Sequence, residues 1–409
     1  MSAPSNEPGV LSRQLIFSLY LPAVVLALGM GIVTPGLAVY AKSFGMDFGA
    51  ASLVFVVYQL GTLLITFPTG LLIDKIGRRP ILLAGPALTA VTSFLMAIAG
   101  SYPEFLVYRF FAGVAQEFWM QSRLAMIADM SGANQRARQI TWMFGMQRVG
   151  TMLGPAVGGV LAVFDLRLPF VVYGVLMGLL LIPTYFYTSE TAANRQPQGQ
   201  PLPEMSWRAL FKIIFTVEIL AFFCVQFLAV VCRGSDGGTF NLYAVYEYGV
   251  GPDVLGGIAV LAGLAALPIP FVTGYFMDRY GRKAVIVPSF GLLGSSLMFM
   301  AVTAFAHMPF ELYVVAYVVA QVTQSTTNGT MQVLGSDLAP VASRGRFFGI
   351  WRTMTSSGGL ASPAMFAVVA TGAGYGWAFV LLGVSSLLVS IIVATVLRET
   401  AARPAPAKA

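Results

Sequence analysis

Along the chain, stretches of about twenty or more mostly apolar residues recur twelve times, the first near Leu15–Val39 and the last near Trp377–Leu397. Each is long enough to cross a hydrocarbon core of about 30 Å as a helix. Proline and glycine inside these runs are ordinary for membrane helices, because neighbouring helices can satisfy the freed backbone groups. Only 10% of the residues are charged and 57% are hydrophobic, whereas a soluble domain carries about 25% charge. The expected fold class is therefore an all-α integral membrane protein with twelve transmembrane helices. Disorder, a disulfide scaffold and a secreted enzyme fit poorly.

The charges set an orientation. One set of loops carries Lys75, Arg78, Arg79, Arg136, Arg138, Arg208, Lys212, Arg279, Arg282, Lys283, Arg344, Arg346 and Arg398. The alternate loops carry little more than Lys42 and Arg167. Lys and Arg accumulate on the cytoplasmic side, so both termini are expected inside, in a plasma membrane (the inner membrane of a bacterium). The net charge of +7 then orients helices and does not call for nucleic acid. Cys224 and Cys232 share one apolar run, and no spacing suits a metal or a cofactor, so none is expected. A polar segment rich in Pro and Gln, residues 189–208, reads as a cytoplasmic linker. It separates a first bundle of six helices, residues 14–188, from a second, residues 209–398. Short cytoplasmic tails, residues 1–13 and 399–409, complete the division, and a monomer is expected.

The two bundles repeat each other. GLLIDKIGRR from Gly70 and GYFMDRYGRK from Gly274 are 204 residues apart, as are Gly145 and Gly349. An offset of 208 joins Gln116 to Gln324 and Asp129 to Asp337. Two half-sized repeats in one membrane chain suit a transporter whose bundles rock about a shared central site.

These residues carry a family resemblance. The chain resembles the major facilitator superfamily over nearly its whole length. Gly70, Asp74, Gly77, Arg78 and Arg79 match that family's loop motif between the second and third helices, and Gly274, Asp278, Arg279, Gly281 and Arg282 echo it. Arg109 and Gly113 resemble its fourth-helix motif. Gly150, Gly154, Pro155, Gly158 and Gly159 resemble the fifth-helix motif of its drug:proton antiporter branches. The resemblance implies that Asp74 faces the start of the eleventh helix and that Arg78 pairs with Asp129. Those contacts would form in one rocking state and break in the other. With Gly274, Asp278, Gly281, Arg282 and Asp337 they are the candidate gating residues. The fifth-helix stretch would seal the two halves, although ordinary small-residue packing needs the same residues. Arg109 would act in conformational or proton coupling.

The fourth span holds the most informative charges. From Glu104 to Asp129 is about 37 Å of helix, and Glu117 falls halfway. A carboxyl near the midplane is costly unless protonated, paired or wetted, so Glu117 is a proton-carrier candidate; a static ion pair is the alternative. Arg109, Gln116 and Arg123 recur every seven residues and share a face, with Glu117 to its side. Arg123 could contact substrate or snorkel toward the cytoplasm. In the seventh span, Glu218 is expected about 9 Å deeper than Lys212 by helical rise, which makes it a second candidate, with a near-interface ion pair the alternative, and Asp236 a third. Glycines around Arg233 and Asp236 suggest a helix break. The tenth span carries a dense polar run that includes Gln321, Gln324, Ser325 and Asn328. It reads as a cavity wall, facing Gln116, Met120 and Arg123, with Gln226 and Arg233 also contributing.

The leading functional reading is an alternating-access, proton-coupled exporter of small amphipathic compounds. Its partners would be that substrate, protons and the bilayer. The runner-up is an importer or facilitator of an organic anion or another small metabolite, since arginines in the spans outnumber acids. No nucleotide loop, metal cluster or catalytic histidine suggests an enzyme.

Overall fold

The computed structural model describes residues 16–130, 133–191, 207–234, 238–340 and 344–399. Among the described residues every regular element is helical. A π-helical turn, Ile16–Tyr20, leads into α1 (Leu21–Ser43), α2 (Phe48–Ile76), α3 (Arg78–Ala97), α4 (Tyr102–Met130), α5 (Ala133–Phe164) and α6 (Leu168–Tyr187). There follow α7 (Trp207–Ile214), α8 (Val217–Val231), α9 (Gly238–Glu247), α10 (Pro252–Ala266) and α11 (Ile269–Tyr280). The chain ends with α12 (Lys283–Phe305), α13 (Phe310–Leu338), α14 (Arg344–Ala373) and α15 (Tyr375–Thr395).

Ten of the twelve expected spans are single helices. The seventh is split into α8 and α9 where Gly234 takes a left-handed φ of 58°, at the glycine-rich break expected there. The eighth is split into α10 and α11, and Pro268 and Pro270 flank the start of α11. The short α7 precedes α8 at a bend of 71°. Six helices, α1, α2, α3, α6, α12 and α15, are long and apolar enough by themselves to cross a membrane. The long α4, α5, α13 and α14 carry the polar residues instead.

Large apolar side chains face outward. Phe67, Phe164, Phe186 and Val368 are each more than 70% exposed. Such a surface is tolerable in lipid and not in water, so the chain is an integral membrane protein. Small residues then matter for packing, because lipid tails compete equally well for apolar side chains.

The chain divides into two compact units, Met1–Gly199 with Gly249–Val260, and Gln200–Tyr248 with Leu261–Ala409. In the first, α1 packs along α5 and α6, and α4 packs along α2 and α3. An aromatic cluster of Tyr40, Phe44, Tyr102, Phe105 and Phe170 closes the end that carries Lys42 and Arg167. In the second, α12 packs along α13 and α15, and α14 along α8 and α15. Its aromatic cluster joins Phe240, Tyr243, Tyr313, Tyr317 and Phe379.

Candidate functional site

The α2–α4 seam positions the first unit's polar residues. A Cβ on Gly61 would strike the carbonyl of Phe110, and one on Gly113 would strike that of Tyr58. With hydrogen there instead, the two backbones touch. Thr62 Oγ1 reaches Gly113 O at 3.3 Å across the seam. One turn further, Glu117 is 1% exposed, and its Oε1 accepts from Gln121 Nε2 at 2.8 Å. Gln121 Nε2 also donates to Thr66 O at 2.8 Å. Thr66 Oγ1 lies 3.3 Å from Glu117 Oε1 and 2.7 Å from Thr62 O. A threonine has one hydroxyl hydrogen, and the shorter contact claims it. The site can thus hold a carboxylic acid donating to Thr66, or a carboxylate accepting from Gln121.

Arg109 and Gln116 share a different side of α4. They line a cavity of about 50 Å³ with Thr34, Tyr58, Thr89 and Tyr173. The Arg109 guanidinium carbon lies 4.3 Å from the centre of the Tyr58 ring, within cation–π range. The volume is that of one or two waters. Arg123 is 0% exposed, and its Nη2 reaches Met120 Sδ at 3.3 Å and Gln147 Oε1 at 3.4 Å. Glu117 points to α2, whereas Arg123 points to α5.

At the far end of α4 the loop motif forms a clamp. Gly77 has φ 97°, a left-handed value that favours glycine. A Cβ there would also strike the Glu190 carboxylate. That carboxylate accepts from the backbone N–H groups of Arg78 and Arg79, each at 3.0 Å, and caps α3 where its dipole favours an anion. Arg78 is buried and donates from Nε to Asp129 Oδ2 at 2.8 Å. Thr191 Oγ1 donates to the same oxygen at 3.2 Å. Asp74 is 3.9 Å from Arg78, and its side chain is 66% exposed. Gly70 lies one turn above it in α2.

The second unit repeats the cap. Gly281 has φ 96°, and Glu399 accepts from the backbone N–H groups of Arg282 at 2.9 Å and Lys283 at 3.0 Å. Glu190 and Glu399 were not among the expected site residues. Their signal is a short repeat, Glu-Thr-Ala at 190–192 and again at 399–401. Gly274 lies in α11 with open space where its Cβ would be. The side chains of Asp278 and Asp337 lie outside the described residues.

One expectation for the second unit changes. The depth of Glu218 assumed one continuous helix from Lys212. The 71° bend between α7 and α8 breaks that helix, and Glu218 sits in the first turn of α8. Its Oε1 accepts from the Arg398 backbone N–H at 3.4 Å, at the chain's last helix end and not deep in a span. The polar run of α13 was expected to form a cavity wall. Within it, Thr323, Ser325, Thr326, Thr327 and Thr330 donate to carbonyls three or four residues back in their own helix. Self-bonding of this kind satisfies hydroxyls without outside partners. Gln321 Nε2 donates to Tyr317 Oη at 3.0 Å, and Gln226 Nε2 to Met331 O at 3.4 Å. Gln324 is buried, and its Nε2 has no partner among the described residues. Arg233 follows the end of α8, and its Nε likewise has none among them. Asp236 and the Asn328 side chain lie outside the described residues.

The fifth-helix stretch packs backbone on backbone. A Cβ on Gly150 would lie 2.5 Å from Val24 O, one on Gly154 2.5 Å from Leu28 O, and one on Gly158 would strike Ile32 O. All three are on α1. Gly159 faces α10, 2.8 Å from Pro252 O by the same measure, and Gly256 lies 2.5 Å from Pro155 O.

Comparison with known proteins agrees with this architecture. The sequence profile of the Major Facilitator Superfamily matches residues 19–235 and 222–409. Quinolone resistance protein NorA of Staphylococcus aureus strain MRSA252 is 27% identical over 253 residues, 61% of this chain and 63% of that protein. The chain thus matches under two thirds of that relative's length. Multidrug resistance protein 2 of Bacillus subtilis strain 168 is 20% identical over 285 residues, 68% of this chain and 71% of that protein. Among solved structures, a D-xylose-proton symporter superposes with TM-score 0.73 at 16% identity, covering 94% of this chain and 98% of that one. A POT family transporter in complex with a thioalcohol-conjugated peptide gives 0.72 at 12% identity, covering 91% and 94%. At such identities these two speak for the fold alone. The chain belongs to the Major Facilitator Superfamily, as a membrane transporter and not an enzyme, with distant sequence likeness to its drug-resistance members.

Proposed function

We propose that the protein is a proton-coupled exporter of small amphipathic compounds, working by alternating access as a monomer in the plasma membrane with both termini cytoplasmic. The bundles of residues 14–188 and 209–398, joined by the linker 189–208, exchange substrate outward for protons inward. Glu117 carries the proton. The observation that carries this reading is the Glu117 site, a 1% exposed carboxyl whose neighbours Gln121 and Thr66 suit either protonation state. Likeness to proteins named for quinolone and multidrug resistance supports export. The clamp of Gly77, Arg78, Asp129 and Glu190 is suited to gating, since its contacts are local and charge-assisted.

The test uses proteoliposomes loaded with a fluorescent amphipathic compound. An external acid pulse is expected to drive efflux in the natural protein. In Glu117→Gln the acid-driven component falls at least tenfold, while exchange of compound for compound persists. Accumulation of compound with the proton gradient would instead make the protein a symporter. Undiminished coupling in the variant would remove Glu117 from the mechanism.

A further inference from the structure

Arg123 presents an electrostatic problem that no described residue solves. Its side chain is 0% exposed, so it does not snorkel to the interface. A guanidinium offers five N–H donors. Among the described residues Nη2 meets only a thioether sulfur and an amide oxygen, at 3.3 and 3.4 Å, and Nε and Nη1 have no hydrogen-bond partner. Among the described residues no carboxylate lies within ion-pair distance. The two acids nearest in the helix are otherwise engaged, Glu117 at the α2 seam and Asp129 with Arg78. Burying a cation without a counter-charge is expensive. Arg109 differs, because it rests on the Tyr58 ring and lines a cavity of only about 50 Å³.

What surrounds Arg123 describes the missing partner. The Trp119 ring centre is 5.6 Å from its guanidinium carbon, and Met120 and Gln147 also touch it. Trp119 is itself 0% exposed, and its indole N–H has no partner among the described residues. The group is thus an arginine with open donors beside a flat aromatic ring, a polarisable thioether and one amide. Toward the Gly77 end, Leu124 and Ile127 join Leu19, Tyr20, Ala23, Met143 and Met146 in an apolar block.

We propose that Arg123 receives the anionic group of the transported compound, so that the preferred substrates are amphipathic carboxylates or zwitterions rather than cations. The carboxylate accepts from the open N–H groups of the guanidinium, at Nε or at Nη1, and the aromatic body lies against Trp119 and Met120. This rests on the alternating-access reading above, since a fully buried group is loaded in the other state of the cycle. The substrate's charge then neutralises the arginine only while the compound is bound, which links occupancy to the cost of exposing or burying Arg123.

The test compares matched probes on the purified full-length protein, 2-naphthoate and longer aryl carboxylates against their methyl esters. Binding is read as a thermal shift, and movement as counterflow in proteoliposomes. The acids are expected to bind at least tenfold more tightly than the esters. Arg123→Gln brings the ratio to about one, whereas Arg123→Lys keeps part of it. Equal binding of acid and ester, no stabilisation by any acid of the series, or a preference surviving in Arg123→Gln overturns the proposal. If Arg123→Gln does not fold, the natural protein's acid-to-ester ratio and the Arg123→Lys variant decide. Acid-driven efflux is scored separately. Its failure with every compound, while the binding preference stands, would remove the exporter reading and leave the anion site.

Discussion

Equivalent seams in the two units are built differently. The offset of 204 that relates the loop motifs also relates Gly150 to Met354, Gly154 to Gly358 and Gly158 to Ser362. In the first unit all three positions are glycine, and α5 lies directly on the α1 backbone. In the second, a Cβ on Gly358 would sit 2.9 Å from Phe227 O, and Ser362 Oγ donates to Val231 O at 2.7 Å. Met354 lines an apolar cavity of about 550 Å³ with Phe211, Phe215, Phe223 and Phe227. Where the first seam has backbone contact, the second has a hydrogen bond and space. In a bilayer both devices hold helices together, because close packing and interhelical hydrogen bonds replace the hydrophobic effect there. The repeat conserves which helices pair, and it leaves free how tightly they pair.

The largest expected effect tests the tight seam. Gly158→Leu places a branched side chain against Ile32 O, a backbone atom that cannot rotate aside. Its cost should exceed about 3 kcal/mol, the upper part of the range for overpacked sites. Gly358→Ala at the looser seam should cost about 1 kcal/mol. Thermal unfolding in detergent and yield of folded protein check both. Equal losses would break the contrast between the seams.

The clamps extend the comparison to the helix ends. Both units cap a helix with a glutamate behind a left-handed glycine. Arg78 is buried on Asp129, while Arg282 is only half-buried. Removing one member of a buried ion pair is strongly destabilising. Arg78→Gln should therefore cost about 3 kcal/mol, with Asp129 left to the Thr191 hydroxyl. Arg282→Gln should cost less than half as much, by the same unfolding measurement. A larger loss from Arg282→Gln would reverse the order of the two clamps.

Much of this was legible in the residues. Apolar runs located the spans, and Gly234 marked the break in the seventh. The offset of 204 marked the glycine and arginine of each clamp, Gly77 with Arg78 and Gly281 with Arg282, though not the glutamates that cap them. The eighth span's break had a signal in Pro268 and Pro270 that hydropathy alone passes over. The bend before α8 had none. Thr216 takes an extended φ,ψ of −67° and 145° without glycine or proline nearby, so tertiary packing decides it, and with it the depth of Glu218. Composition marked the polar run of α13 as unusual, but hydroxyl direction is a rotamer choice. Back-bonding at i−3 and i−4 hides donors that sequence alone counts as available. The pairing of Glu117 with α2 and of Arg123 with α5 depends on which backbones touch. Gly61 and Gly113 govern that contact in space, 52 residues apart in sequence.

The smallest effect is the sharpest probe of the looser seam. Ser362 is 0% exposed, and its hydroxyl bridges α14 to α8 at the carbonyl of Val231, where α8 ends and where the Gly234 backbone N–H donates more weakly at 3.4 Å. Interhelical hydrogen bonds in membranes average about 0.6 kcal/mol. Ser362→Ala should therefore lower stability by about 0.6–1 kcal/mol, while Ser362→Gly should lose the same bond but restore the first unit's residue at that position. If closeness alone holds the first seam, the glycine variant recovers part of the loss by letting α14 settle onto α8, and its melting temperature lies above that of the alanine variant. The opposite order would mean that the second seam cannot close, because Met354 and the Phe211–Phe227 cluster around the cavity already fix the spacing of the two helices.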